Sequence, residues 1–268
     1  GHGRVRLATN LRPPVGASQP KSPIMKITPE RTVGSIVAED FRAAAVLTKY
    51  GIDFCCKGGR SVQEVCEKKN IDQHKLAQDI TATLARDAKS GDDVRSWPLD
   101  QLADHVETVH HRYVEERGPI LQQYLDKLCR VHGDRHPELF TIQDEFNTCL
   151  GAMAMHMKKE ELILFPFVRN LAKSERNGGP FRAPHFGTVE NPVRAMMADH
   201  NDEGERFERM NAVSGHFTPP ADGCTTYATA FRMLKEFEED LHLHIHLENN
   251  IMFPRAIEME KRLVNAAH

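Results

Sequence analysis

Beyond residue 98 the chain carries four long stretches in which apolar residues recur every three or four positions, the spacing of a buried helix face. The first covers residues 99–129, with an interruption expected at Gly118-Pro119, and the second residues 137–171. Pro166 falls inside the second, where it lacks an amide donor and crowds the preceding turn, so it should kink or end the helix. The third covers residues 191–213 and the fourth residues 225–264, with Gly/Pro-rich segments between them. No strand-like alternation competes with these patterns. They predict an all-α chain whose C-terminal part is an antiparallel four-helix bundle.

Upstream, residues 32–88 read as a small helical unit. Ser35 can cap a helix through Ala43-Ala44-Ala45-Val46-Leu47, and Gly51 fits its C-terminal stop. A tight turn, Cys55-Cys56-Lys57-Gly58-Gly59, follows; Ser61 and Asp72 then start two more helices. Gly91-Asp92-Asp93 is the expected linker. Residues 1–24 lack periodicity and the apolar core of a signal peptide, and read as a tail or tag remnant. The expected organisation is therefore a tail at 1–24, a small helical domain with a Cys-Cys turn at 25–90, and the bundle at 91–268.

The bundle stripes are not purely apolar. The first helix presents Leu99, Leu102, His105 or Val106, Val109 and Tyr113; the second Phe146, Leu150, Met153, His156, Glu160, Ile163 and Phe167. The third presents Val193, Met196, His200, Gly204 and Phe207; the fourth Phe237, Leu241, His244, Glu248 and Ile251. One pattern, His-x3-Glu-x4-Phe-Pro, occurs twice, at 156–166 and 244–254. A four-residue spacing places imidazole and carboxylate on one helix face. Burying an ionised carboxylate without a partner costs several kcal/mol, and a pair of cations removes that cost. His105, His156, Glu160, His200, His244 and Glu248 are thus the candidate metal ligands. His110, His111, His132, His136, His242 and His246 read as surface or supporting groups, and Glu203 as a solvated carboxylate held in reserve as a ligand.

Four imidazoles and two carboxylates suit iron, manganese or zinc, with iron favoured. Two histidines per metal and two bridging glutamates give four protein donors apiece. An oxo or hydroxo bridge makes five and leaves one open position, which predicts chemistry with a small ligand. Composition narrows the rest. A formal charge of -3 with 27% charged residues gives no basic excess for nucleic acid, and no apolar run is long enough to cross a membrane. Six cysteines lack the spacing of a secreted disulfide framework, which favours a cytoplasmic protein.

These motifs resemble the hemerythrin-like fold, and more closely the iron-sulfur cluster repair di-iron proteins. The resemblance rests on Tyr50-Gly-Ile-Asp-Phe-Cys55-Cys56 in the small unit, and in the bundle on Asp104-His105, the two His-x3-Glu-x4-Phe-Pro segments and Asp199-His200. It implies metal binding by the same six residues, two non-haem irons per chain, and restoration of iron-sulfur proteins damaged by nitric oxide or peroxide. It further implies nitric oxide binding at the centre, with a reductase or oxidase side activity in view. An oxygen or nitric oxide carrier or sensor is the competing reading. Oxygen-carrying hemerythrins use five histidines where this set offers four, which favours a more open centre. Either a monomer or a homodimer is compatible. Cys55 and Cys56 are too close for a relaxed disulfide, and with Lys57 nearby to favour thiolate they read as a functional thiol pair. The other four cysteines read as buried packing residues.

Overall fold

The computed structural model describes residues 25–86, 94–178 and 182–266. The tail at 1–24 and the Gly91-Asp92-Asp93 linker lie outside these residues. Among the described residues there is no strand, only an isolated antiparallel bridge between Thr32 and Ser61. The small unit is formed by α1 (Val33–Glu39), α2 (Ala43–Lys49), α3 (Val62–Lys69) and α4 (Gln73–Arg86). Thr32, not Ser35, caps α1: its side chain accepts from the Ser35 amide. The start lies upstream of the expected one because Val33 and Gly34 already donate to the carbonyls of Arg60 and Gly58. Ser61 and Glu64 close a reciprocal capping box on α3, Asp72 accepts from the His74 and Lys75 amides, and Gly51 ends α2 at φ 63°. Ile36, Leu47, Val62, Leu76 and Ile80 form the buried interior of the unit.

Four rods make the bundle. The first is α5 (Leu99–His105), a π turn (Val106–His111) and α6 (Arg112–His132); the second is α7 (Glu138–Lys159), a π turn (Glu160–Leu164) and α8 (Phe165–Asn177). The third is α9 (Glu190–Val213) alone, and the fourth is α10 (Thr225–Leu247), a π turn (Glu248–Met252) and α11 (Phe253–Ala266). Packing of α6 on α7 and α5 on α8 makes the first two rods antiparallel, and contacts of α7 with α9 and of α10 with α6 complete the ring. The expected break at Gly118-Pro119 does not occur; α6 runs through both. Gly118 serves close approach instead, since a Cβ there would lie 2.3 Å from Leu150 Cδ1.

Two of the π turns follow from the repeated motif. Pro166 and Pro254 have no amide hydrogen, so the ordinary bond four residues back is lost. The turn before each widens: Phe165 donates to the Glu160 carbonyl and Phe253 to that of Glu248, five residues back. Each extra residue rotates the following face by about 100°. Ile163, expected inside, is therefore 42% exposed, while Leu164 and Phe165 are buried.

The apolar interior divides into two clusters. Along the first rod, Val106 and Val114 belong to different clusters; so do Met196 and Phe207 of the third, and Met252 and Leu241 of the fourth. Between them lies a layer of buried histidine and glutamate. The small unit covers the other face of α10, where Phe54 meets the rings of His242 and His246 edge-on at 6.2 and 5.9 Å. Of the surface or supporting roles expected for His242 and His246, the structure shows neither ring at the open surface: both pack against Phe54 of the small unit.

Candidate metal centre

The polar layer resolves into two groups whose ligand atoms lie within 4.8 Å of one another: His111, Glu160, His244 and Glu248, and His156, Glu160, His200 and Glu248. Both glutamates belong to both groups. Glu160 turns Oε2 to His111 Nε2 at 3.3 Å and Oε1 to His156 Nε2 at 3.3 Å. Glu248 turns Oε1 to His244 Nε2 at 3.3 Å and Oε2 to His200 Nε2 at 3.1 Å. Each carboxylate therefore spans the two groups, one oxygen toward each. None of the four oxygens receives a hydrogen bond, and both glutamates are 0% exposed. His111 Nε2 and His244 Nε2 are also buried without a partner. Convergent, unsatisfied nitrogen and oxygen donors of this kind fit divalent transition metals.

Electrostatics in this layer shows how the charges are balanced. Burial raises the Glu248 pKa, but His244 and His200 outweigh it and hold the carboxyl well below its ordinary range. Burial and repulsion by Glu248 act likewise on Glu160, and His156 and His111 reverse them. His156 pays for burial but gains more from Glu160 and Glu248, and is pushed up to about 9. His111 is also raised, the same carboxylates overcoming its burial. His244 goes the other way, lowered by burial. His156, held up near 9, thus carries positive charge beside the two carboxylates.

Three of the four rings are held from behind. His111 Nδ1 lies 3.0 Å from Glu161, His156 Nδ1 3.2 Å from Asp199, and His200 Nδ1 2.8 Å from Asn249. Such contacts fix the ring and leave Nε2 facing inward.

One expected ligand, His105, stands apart from both groups. His105 sits at the end of α5 against Trp97, ring centroids 5.2 Å apart, and beside His110 at 5.6 Å, outside both groups. His111 takes the place assigned to it. In a regular helix residue 111 lies about 140° round from the inward-facing Val106; the one-residue widening of the turn Val106–His111 reduces that to about 40° and carries His111 onto the inward face. The same shift leaves Val109 44% exposed and buries His110, whose Nδ1 contacts Asp240 at 3.0 Å. Glu203 is buried beside Arg206 and belongs to neither group.

Residues 102–256 match the family described as Hemerythrin HHE cation binding domain, and residues 29–84 match a Domain of Unknown function, DUF542. Iron-sulfur cluster repair protein YtfE of Citrobacter koseri is 31% identical over 232 residues, covering 86% of this chain and 98% of that protein. The ScdA repair protein of Staphylococcus haemolyticus is 29% identical over 227 residues, covering 85% of this chain and 98% of that protein. The chain belongs to the iron-sulfur cluster repair family. Its hemerythrin domain is a cation-binding domain, and no helix among the described residues is long and apolar enough to cross a membrane.

In this repair-family chain the cysteine turn is not remote from the centre. Cys56 Sγ donates to the His200 carbonyl at 3.2 Å, and Asn249 and Asn250 donate to the carbonyls of Cys55 and Phe54 at 3.3 and 3.1 Å. Asp53 accepts from the amides of both cysteines. Lys57 is exposed, and Cys55 is buried; contact with Cys56 and burial raise the Cys55 thiol well above its ordinary value, so it is a neutral thiol rather than a thiolate. Cys66, Cys129 and Cys149 are buried as expected, but Cys224 is exposed. It stands at the start of α10 with its sulfur 3.2 Å from His132 Nε2.

Proposed function

We propose that this chain repairs iron-sulfur clusters damaged by nitrosative or oxidative stress, supplying iron from a centre of two non-haem ions. In this reading His111 and His244 hold one ion, His156 and His200 the other, and Glu160 and Glu248 bridge both. The supporting observation is the pair of fully buried carboxylates, each with one bare oxygen toward each histidine pair. Iron bound there would supply an exchangeable metal pool and a redox-active site able to take nitric oxide.

The chain's own groups prepare that site. The apolar clusters on either side exclude water, and Glu161, Asp199 and Asn249 aim three of the histidines. His156, raised to about 9, gives up a proton as its nitrogen becomes a donor. The relatives' names carry the iron-sulfur target, and damaged iron-sulfur proteins are the proposed recipients. Metal analysis with Mössbauer spectroscopy on anaerobically purified chain tests the centre; two irons per chain are expected. Recovery of nitric-oxide-damaged aconitase tests the activity, with His156→Ala as the control. Full recovery with that variant would remove the case for iron-centred repair.

A further inference from the structure

Two backbone carbonyls of the cysteine turn are held by adjacent asparagines on the π turn of the fourth rod. Asn250 donates to Phe54, and it fits against the turn because Gly34 and Gly58 lack side chains: a Cβ on either would lie 2.6 or 2.9 Å from Asn250 Oδ1. Asn249 is buried and does more. Its Nδ2 lies 3.3 Å from the Cys55 carbonyl and its Oδ1 2.8 Å from His200 Nδ1.

The chemistry of these atoms fixes a chain of assignments. A backbone carbonyl only accepts, so the amide must turn its NH2 to Cys55 and its oxygen to His200. That oxygen also only accepts, so His200 must carry its proton on Nδ1. Nε2 is then the nitrogen left to face Glu248, 3.1 Å away. The other end of the same residue is tied as well, since Cys56 Sγ donates to the His200 carbonyl. Gly204, one turn further along α9, makes room for that sulfur; a Cβ there would lie 3.0 Å from it.

His111 and His156 are held by carboxylates of the bundle itself, Glu161 and Asp199. His200 alone of these three takes its support from an amide that is in turn oriented by the small unit. We propose that Asn249 is a positioning residue that couples the Cys55-Cys56 turn to the metal centre, imposing on His200 the tautomer that aims Nε2 at the glutamates. A change at the cysteine turn then reaches the His200 ring through the Asn249 side chain, beside the direct contact of Cys56 with the His200 carbonyl. This inference rests on the metal reading above.

Two variants separate the links. Asn249→Ala removes both contacts. Asn249→Asp keeps an acceptor for His200 Nδ1, as Asp199 does for His156, but cannot donate to the Cys55 carbonyl. Ferrous iron affinity is measured by competition with a chelator, and the alkylation rate of Cys55 and Cys56 by iodoacetamide on metal-free chain, located by mass spectrometry. For Asn249→Ala, iron affinity should fall roughly 10–100-fold, the usual effect of losing a group that orients a ligand, and alkylation should quicken by about tenfold or more, the buried turn having lost its anchor. Asn249→Asp should hold iron within about threefold of wild type, since an oriented acceptor is retained, while its cysteines alkylate as fast as those of the Ala variant. A general loss of structure would move both readings together in both variants and would overturn the coupling. So would wild-type values for Asn249→Ala; if that variant fails to fold, wild-type alkylation in Asn249→Asp overturns it equally. A wild-type chain that takes up no iron defeats the metal reading, and with it the His200 half of this inference, whatever the alkylation rates show.

Discussion

Replacing His111 with Ala, beside His105→Ala as its partner experiment, separates the helical register of the structure from that of the sequence. His111 is 1% exposed and stands 3.3 Å from Glu160, itself 0% exposed. Truncating it leaves that carboxylate with His156 as its one remaining imidazole partner at 3.3 Å. Removing one partner of a buried charge pair costs about 3–5 kcal/mol. At roughly 2–4 °C per kcal/mol for a chain of this size, the metal-free protein should melt about 6–20 °C lower. His105 is only partly buried and meets Trp97 edge-on, so its loss should cost about 0.5–1.5 kcal/mol. Scanning calorimetry on metal-free protein reads these differences, and elemental analysis after iron loading reads the ligand set. One iron per chain is expected for His111→Ala and two for His105→Ala. A normal iron content in His111→Ala with loss in His105→Ala would refute the π-turn register and restore the regular helix.

Iron uptake should release protons. With its pKa raised to about 9, His156 is protonated at pH 7 and must become neutral to bind, so affinity should rise roughly tenfold per pH unit up to that value; calorimetry in buffers of different ionisation enthalpy that found no proton release would contradict this. Cys224 should be the fastest of the six thiols to alkylate, because His132 and the amides opening α10 lower it to about 7. Its thiolate forms as pH rises through that value, so its rate should reach half-maximum there and shift upward in His132→Ala, as peptide mapping can show. Gly58→Ala should loosen the cysteine turn, because its Cβ would lie 2.3 Å from the Phe54 carbonyl; a cost of about 1–3 kcal/mol and faster alkylation of Cys55 are expected, and unchanged protection would count against the packing described.

The sequence by itself determined that the chain is helical, that four amphipathic rods follow a small capped unit, and that His156, Glu160, His200, His244 and Glu248 share inward stripes. Those readings depend on local periodicity, and a helix repeats its geometry every turn. What only the tertiary structure decided lies where that repeat fails. The proline after each Phe removes an amide donor and widens the turn at Glu160 and Glu248, which the twin motifs could have signalled. The widening at Val106–His111 contains no proline, so extrapolated phase selected His105 and passed over His111. His242, His246, Asn249 and Asn250 have meaning only once the small unit covers α10, because periodicity along one helix does not say what packs on its second face. The same limit applies to the cysteine turn. Its tightness is written in Cys-Cys-Lys-Gly-Gly, but its place against the His200 carbonyl comes from the docking of residues 144 positions apart.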